Sequence, residues 1–399
     1  MAPYESDDAV DAARDAAPRS GRRKAARYAV PVAVVGVAAA TIGLVPALAD
    51  SGDPDLPKIT AEQLIEKIAK SDVQQLSGTV KTSTDLGLPD LGGLEDGLAS
   101  SAGQGSGDGS SADPQAKLTE LVSGTHTLRV AADGPDRQKL SLLESGAEYS
   151  LIHNGKDVWG YDSKSNEVYH STTAGSGEDR AAEPPATPKD FADEALKSVD
   201  DTTSVTVDGT AQVAGRDAYK LLIQPKQSGT TVGAISIAVD AKTGLPLKFT
   251  LTPRSGGAAV LDAGFTQVSF ARPAASTFDF TPPKGAKVTE EEDGATAREH
   301  TPKHGEDLAE GLTGLNVLGK GWTSIAAFDT GAEGGLPTGA EGGELGGFLG
   351  SLGDPVSGEF GKGTVFSTRL VNALITDDGK VYAGAVTKEA LVKAADAGK

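Results

Sequence analysis

The sequence predicts a mainly β fold with helices (α+β): a curved antiparallel half-barrel sheet wrapped on helices, followed by a small C-terminal α+β domain. Three observations support this prediction. Short runs of alternating polar and apolar residues recur at hairpin spacing between residues 124 and 280. Turn sequences rich in Gly, Asn and Asp separate these runs. Two amphipathic helical segments interrupt the strands, a pattern typical of one sheet packed on helices.

Composition limits the possible functions. The chain has 399 residues, enough for two domains, and a net charge of −19, which argues against a broad basic face for nucleic acid. Nucleic acid is therefore not among the predicted partners. Cysteine is absent, so the chain has no disulfides, no thiolate metal site and no Cys nucleophile.

The N-terminal region resembles an export signal. Residues 1–27 are predicted to be a disordered cytoplasmic tail with a basic end, and residues 28–49 form an uncharged apolar run. Cleavage as a signal peptide would fall between Ala49 and Asp50, after an A-x-A site. The run is also long enough to stay as a single membrane span. Both alternatives place the rest of the chain outside the cytoplasm, secreted or anchored in the membrane.

The remaining chain divides into two predicted domains. The half-barrel domain covers 56–289, with helices over 59–73 and 188–199 that begin after the N-caps Thr60 and Thr187. Its Gly- and Ser-rich stretch 85–114 is predicted to be a flexible insertion. Residues 290–311 form a linker, and 312–399 form the small domain, with a second flexible insertion at 331–354 and a strand over 322–326.

The segment 149–170 organises the larger domain as a three-stranded meander, with a hairpin turn at Asn154-Gly155. Apolar side chains of this meander and of neighbouring strands are the candidate lining of a hydrophobic ligand pocket. The alternative is ordinary sheet core, because core and pocket share one face in a half-barrel. The candidate residues are Leu128, Val130, Leu140, Leu142, Trp159, Tyr161, Ile235, Ile237, Phe249 and Leu251.

Motifs of catalysis and metal binding are weak in this sequence. His300 and His304 are four residues apart, but Pro302 lies between them in a polar linker, so we predict no metal site there. Gly358 to Thr364 lacks the Ser or Thr that follows the lysine of a phosphate-binding loop. The sequence therefore predicts no catalytic residue, no metal and no cofactor, and a protein that is not an enzyme.

Two motifs carry a resemblance to a known superfamily. The order of helix, meander, helix and strands, together with N-G-K-x-V-W-x-Y-D at 154–162 and F-x-F-x-P-P-x-G-A at 278–286, resembles the LolA/LolB-like lipoprotein carriers. The segment V-D-x-x-T-G-L-P-L at 239–247 is also similar. This resemblance covers about 59–288, and the 85–114 insertion has no counterpart in it. It implies a half-barrel with a helical lid that holds an acyl chain or another hydrophobic ligand.

A second resemblance concerns the C-terminal part. The runs G-T-V-F-S at 363–367 and V-x-A-G-A-V-T-K-E-A-L at 381–391 resemble the small domain of the MucB/RseB periplasmic regulators, whose larger domain is also LolA-like. Two functions follow as alternatives. The first is a carrier or binder of a lipid or an acylated protein. The second is a sensor that binds a membrane-bound anti-sigma factor in envelope stress signalling.

Overall fold

A computed structural model of the chain describes residues 53–87, 110–114, 117, 121, 123–172, 187–291, 316–329 and 353–398. These residues belong to one compact unit, Asp53–Lys399. The predicted tail and apolar run, with the cleavage site at Ala49 and Asp50, lie outside the described residues, as do His300 and His304 and most of both insertions. Among the described residues, no helix has the length and apolar character required to cross a bilayer.

The fold is mainly β, as the sequence predicts, and its larger sheet is open and curved. The sheet has twelve strands in the order β12-β6-β5-β4-β3-β2-β1-β11-β10-β9-β8-β7. Neighbouring strands are antiparallel, except that β12 runs parallel to β6 at one edge. The strands are β1 (Gln75–Thr84), β2 (Gly124–Asp133), β3 (Arg137–Glu144), β4 (Ala147–Asn154), β5 (Asp157–Asp162), β6 (Glu167–Thr172), β7 (Thr203–Val213), β8 (Arg216–Pro225), β9 (Val232–Asp240), β10 (Pro246–Pro253), β11 (Leu261–Ser269) and β12 (Lys287–Glu291).

Two helices pack on this sheet and begin at the predicted caps. Helix α1 covers Ala61–Ala69, and α2 covers Pro188–Lys197. The Thr60 hydroxyl accepts a hydrogen bond from the Gln63 backbone N–H, and the Gln63 side chain accepts one from Thr60 N–H. Thr187 and Asp190 form the same reciprocal arrangement. These capping boxes satisfy backbone donors that a helix leaves free, so the local sequence determines where each helix starts.

The meander forms with its turn displaced by one residue. Asn154 pairs with Asp157, so the two-residue loop consists of Gly155 and Lys156, and Gly155 has φ +67°. Glycine adopts this conformation without the steric cost that other residues meet. The next turn, between β5 and β6, is held by the Asp162 carboxylate, which accepts hydrogen bonds from the Lys164 and Ser165 backbone N–H groups.

The C-terminal part contains a second sheet, of six strands in the order β13-β14-β18-β17-β16-β15. Helix α3 packs on it through Leu391 and Ala395, and the Thr387 side chain caps its N-terminus. The elements are β13 (Asn316–Leu318), β14 (Ile325–Asp329), β15 (Asp354–Gly358), β16 (Gly361–Ser367), β17 (Asn372–Thr376), β18 (Lys380–Gly384) and α3 (Lys388–Ala397).

Two local predictions are wrong in detail. Trp322 lies in a 3₁₀ turn, Gly321–Thr323, and not in a strand. Gly321 has φ +60°, and a Cβ atom there would collide with the Thr202 hydroxyl, so the chain turns where it meets the larger sheet. Residues 290 and 291, which the sequence alone places in the linker, belong to β12. Their partners in β6 are more than a hundred positions away in the sequence, so no local pattern indicates this pairing.

Candidate ligand-binding site

Eight of the ten candidate residues share one face of the larger sheet. Cross-strand pairs join Leu128 to Leu142 and Val130 to Leu140, and on the other half Phe249 to Ile237 and Leu251 to Ile235. Val80 connects the two halves, because it pairs with Leu128 on one side and Phe265 on the other. Directly paired residues point to the same side of a sheet. We call this side the inner face.

Helices α1 and α2 cover the half of the inner face formed by β7 to β10. Leu64 and Ile68 of α1 and Ala192 of α2 join the cluster that contains Ile237 and Phe249. The Phe191 and Phe249 rings stack with centroids 5.4 Å apart. Ile237 is fully buried and Phe249 is 4% exposed, so the helices fill this half of the face as a core.

The short segment that contains Ser111 and Ala112 covers the half of the inner face formed by β3 to β6. The Tyr149 hydroxyl donates a hydrogen bond of 3.2 Å to the Ala112 carbonyl oxygen. The backbone N–H and the hydroxyl of Ser111 each donate a bond of 2.8 Å to the Glu167 carboxylate. The Ser111 bonds, with a smaller contribution from Lys287, lower the pKa of Glu167 to about 2. Glu167 is therefore ionised at neutral pH, and its carboxylate holds the segment around Ser111 against the sheet.

Trp159 and Tyr161 lie on the opposite side of the sheet, which we call the outer face. Trp159 pairs with Ile152 and Tyr161 with Ser150, whereas Leu151 and Tyr149 pair with Leu140 and Leu142. Alternate residues of a strand point to opposite faces, so the two aromatic rings are separated from the other eight candidates. They pack instead against Phe280, with centroid distances of 5.5 and 5.7 Å.

The inner face also carries a polar group that sequence reasoning did not single out. Thr82 pairs with Ala263 and His126 and is 5% exposed. Its hydroxyl oxygen has no hydrogen-bond partner among the residues that the structure describes. A buried hydroxyl without a partner costs free energy, and a polar atom of a bound molecule would satisfy it. Strand alternation predicts the face of Thr82, but only the assembled sheet shows that its hydroxyl is unpartnered.

The packing of α1 depends on one close approach. Gly244, in the turn between β9 and β10, has φ +77°, and a Cβ atom there would collide with the Lys67 carbonyl oxygen of α1. Hydrogen bonds hold the segment before the helix: Tyr219 donates to the Pro57 carbonyl oxygen and Thr210 to that of Pro54, each at 2.9 Å. The inner side of α1 itself meets the sheet through apolar side chains.

Comparison with models of protein families and with curated proteins finds no match. Several solved structures are similar in fold. The MucA/MucB complex of Pseudomonas aeruginosa has 15% identity and a TM-score of 0.37, covering 84% of this chain and 96% of that chain. An LolA superfamily protein from Nitrosomonas europaea has 10% identity and a TM-score of 0.22, covering 56% of this chain and 99% of that chain. A putative outer membrane lipoprotein-sorting protein domain from Vibrio parahaemolyticus has 10% identity and a TM-score of 0.21, covering 53% and 91%. These matches include structures of both groups that the sequence resembles.

Proposed function

We propose that this chain is an extracytoplasmic binding protein, and not an enzyme, which takes an acyl chain or a similar apolar ligand between the inner face and helices α1 and α2. The observation that carries the proposal is the apolar inner face, one half of which is covered by two short helices through side-chain packing alone. Its extracytoplasmic location rests on the sequence of residues 28–49. The lipid, or the acyl group of a modified protein, is the proposed partner.

Burial of apolar surface supplies the affinity. Each methylene of an acyl chain contributes about 0.8 kcal/mol when it leaves water, so a long chain gains enough to offset the displacement of α1 and α2. The inner half covered by these helices is filled in the structure described here, so uptake requires them to move. Thr82 gives the ligand a place for a polar atom, because its hydroxyl is otherwise unsatisfied.

Native mass spectrometry of the full chain from its own host, followed by organic extraction, tests the proposal. We expect co-purifying acyl-chain masses and saturable uptake of a fluorescent fatty acid. The variant Thr82→Val keeps the side-chain shape and removes the hydroxyl, so we expect about three- to tenfold weaker binding of the fatty acid. Thr125→Val, which changes an exposed threonine of β2, is the matched control. A clean apo mass without any fatty-acid uptake would refute the proposal.

The regulatory sensor is the second candidate, and a specific observation favours it. The half of the inner face beneath α1 and α2 is packed as a core. A sensor that binds a membrane-bound regulatory protein at another surface does not require these helices to move. A lipid-free protein that binds the periplasmic segment of such a regulator would favour this candidate over the carrier.

A further inference from the structure

The outer face contains a groove of about 460 Å³ that crosses β11, β1, β2, β3 and β4. Its lining includes Thr79, Arg129, Lys139, Ser141, Glu148 and Thr277. Thr79 pairs with Arg129, and Arg129 with Ser141, which places these three side chains on the side away from Val80 and Leu128. We call this feature the outer groove. It is separate from the inner face to which the proposed function is assigned.

Two features of the fold shape the outer groove. An irregularity in the pairing of β1 with β11 leaves Thr266 as an extra residue beside Thr79, and the Thr266 hydroxyl donates a 3.2 Å bond to the Thr79 carbonyl oxygen. Such a bulge bends a sheet locally. A 3₁₀ turn, Ala275–Thr277, lies along the groove and is followed by Phe278, which is 1% exposed. The Phe278 carbonyl oxygen accepts a hydrogen bond from the Asn154 side chain.

The outer groove carries two basic side chains without an ionic partner. The side chains of Arg129 and Lys139 take no part in the hydrogen bonds or ion pairs of the described residues. By contrast, Arg137 and Arg272 both contact Asp133. Arg129 pairs with Ser141 and Lys139 with Ala131, so the two cations lie diagonally across β2 and β3. An anionic ligand could therefore contact both.

The other polar groups narrow the ligand class. One oxygen of the Glu148 carboxylate accepts a 2.9 Å bond from Ser150, whose hydroxyl also lies 2.9 Å from that of Ser141. Glu148 on β4 adds a negative charge to the lining and can accept a further hydrogen bond from a ligand hydroxyl. Arg129 on β2 and Lys139 on β3 offer charge-assisted donors to an oxyanion.

We propose that the outer groove is a binding site for a small organic oxyanion, a phosphate or a carboxylate on a hydroxyl-bearing molecule. Arg129 and Lys139 bind the anionic group, and Glu148 accepts a hydrogen bond from the hydroxyl. The site needs only two basic side chains, so it is consistent with the net charge of −19, which argues against a broad basic face. It does not depend on whether the inner face binds lipid.

Isothermal titration of the full chain with three matched ligands tests this proposal: sn-glycerol 3-phosphate, glycerate and uncharged glycerol. We expect saturable binding of one or both anions and none of glycerol, and the preferred anion identifies the source as phosphate or carboxylate. The double variant Arg129→Gln/Lys139→Gln should weaken binding by at least about tenfold. The control, Lys362→Gln/Lys393→Gln, changes the net charge equally at exposed positions of the C-terminal part.

The outcomes are distinct. Binding that is lost in the groove variant and kept in the control supports the site. Absence of saturable anion binding to the wild-type chain overturns the proposal. Equal loss in both double variants also overturns it, because the effect would then come from net charge alone. Fatty-acid uptake, measured on the same variants, reports on the inner face and should remain unchanged.

Discussion

At the scale of single residues, His170 connects three strands at one edge of the larger sheet. Its two ring nitrogens lie 2.5 Å from Glu290 Oε2 and 3.0 Å from Asp157 Oδ1. Its ring stacks on Trp159 with centroids 3.7 Å apart. Glu290 belongs to β12, so this histidine fastens the parallel edge strand to β5 and β6. A protonated imidazole would donate to both carboxylates.

We predict that His170 makes stability depend on pH. Burial alone lowers the pKa of His170, but its hydrogen bonds with Glu290 and Asp157 outweigh burial and raise the pKa. The stability from these contacts is fully present below the unfolded-state pKa of about 6.5 and is lost as pH rises through the raised folded-state pKa. Urea unfolding at about pH 6 and about pH 9 should therefore show a larger destabilisation by His170→Gln at the lower pH.

The control for this experiment is Val168→Ala, a buried apolar position of the same strand β6. It changes no titratable group, so its effect on the free energy of unfolding should be the same at the two pH values. If His170→Gln destabilises the chain equally at both, the two carboxylates do not hold a charged imidazole and the assignment is wrong.

At the scale of elements, the local sequence of helix α1 determines where it begins, and tertiary packing determines whether it is stable. Thr60 and Gln63 specify where the helix begins. A nine-residue helix is too short to be stable alone in water, so its persistence depends on burying Leu64 and Ile68 against the sheet. Leu64 and Ile68 lie four residues apart and therefore share the side of the helix that packs on the sheet, whereas Ala69, at the end of the helix, is exposed.

We predict that Leu64→Ala lowers the free energy of unfolding by about 2–5 kcal/mol, because it deletes a fully buried side chain between α1 and the sheet. Denaturant unfolding measures this change. Lys70→Ala, which alters an exposed side chain at the end of the same helix, should leave the free energy nearly unchanged. Equal effects of the two substitutions would show that α1 is not packed on the inner face.

At the scale of the whole molecule, several contacts join the two sheets. The Trp322 indole N–H donates a 2.8 Å bond to the Thr203 hydroxyl, and its ring packs against the cluster that contains Ile237. The Arg369 guanidinium lies 2.7 Å from Asp85 Oδ2, directly after β1. Thr230 forms an isolated backbone bridge with Val386. Residues at the borders of predicted flexible or connecting segments therefore take part in fixed contacts.

We predict that these contacts make the two sheets unfold together. Trp322→Ala removes a half-buried ring and its hydrogen bond, which should lower the free energy of unfolding by about 2 kcal/mol. In calorimetry, the six-stranded sheet should then unfold in a separate transition at a lower temperature than the larger sheet. Val317→Ala, at an exposed position of the six-stranded sheet, should leave the wild-type profile. If Trp322→Ala still unfolds in one unchanged transition, the indole contributes little to the coupling between the two sheets.

Much of the fold was determined by the sequence itself. Strand alternation, the caps Thr60, Thr187 and Thr387, and the turn after Asn154 act over a few residues, so their physical causes are visible in the chain. These signals were sufficient for a curved sheet wrapped on helices and for most element positions. They also identified the apolar residues from which the inner face is built.

Only the tertiary structure decided how these elements meet. The register of β4 with β5 placed Trp159 and Tyr161 on the outer face, and a shift of one residue would have reversed that result. The pairing of β12 with β6, the unpartnered Thr82 hydroxyl and the outer groove all depend on residues distant in the sequence. Local patterns specify which side chains share a strand face, whereas long-range pairing decides what each face encloses.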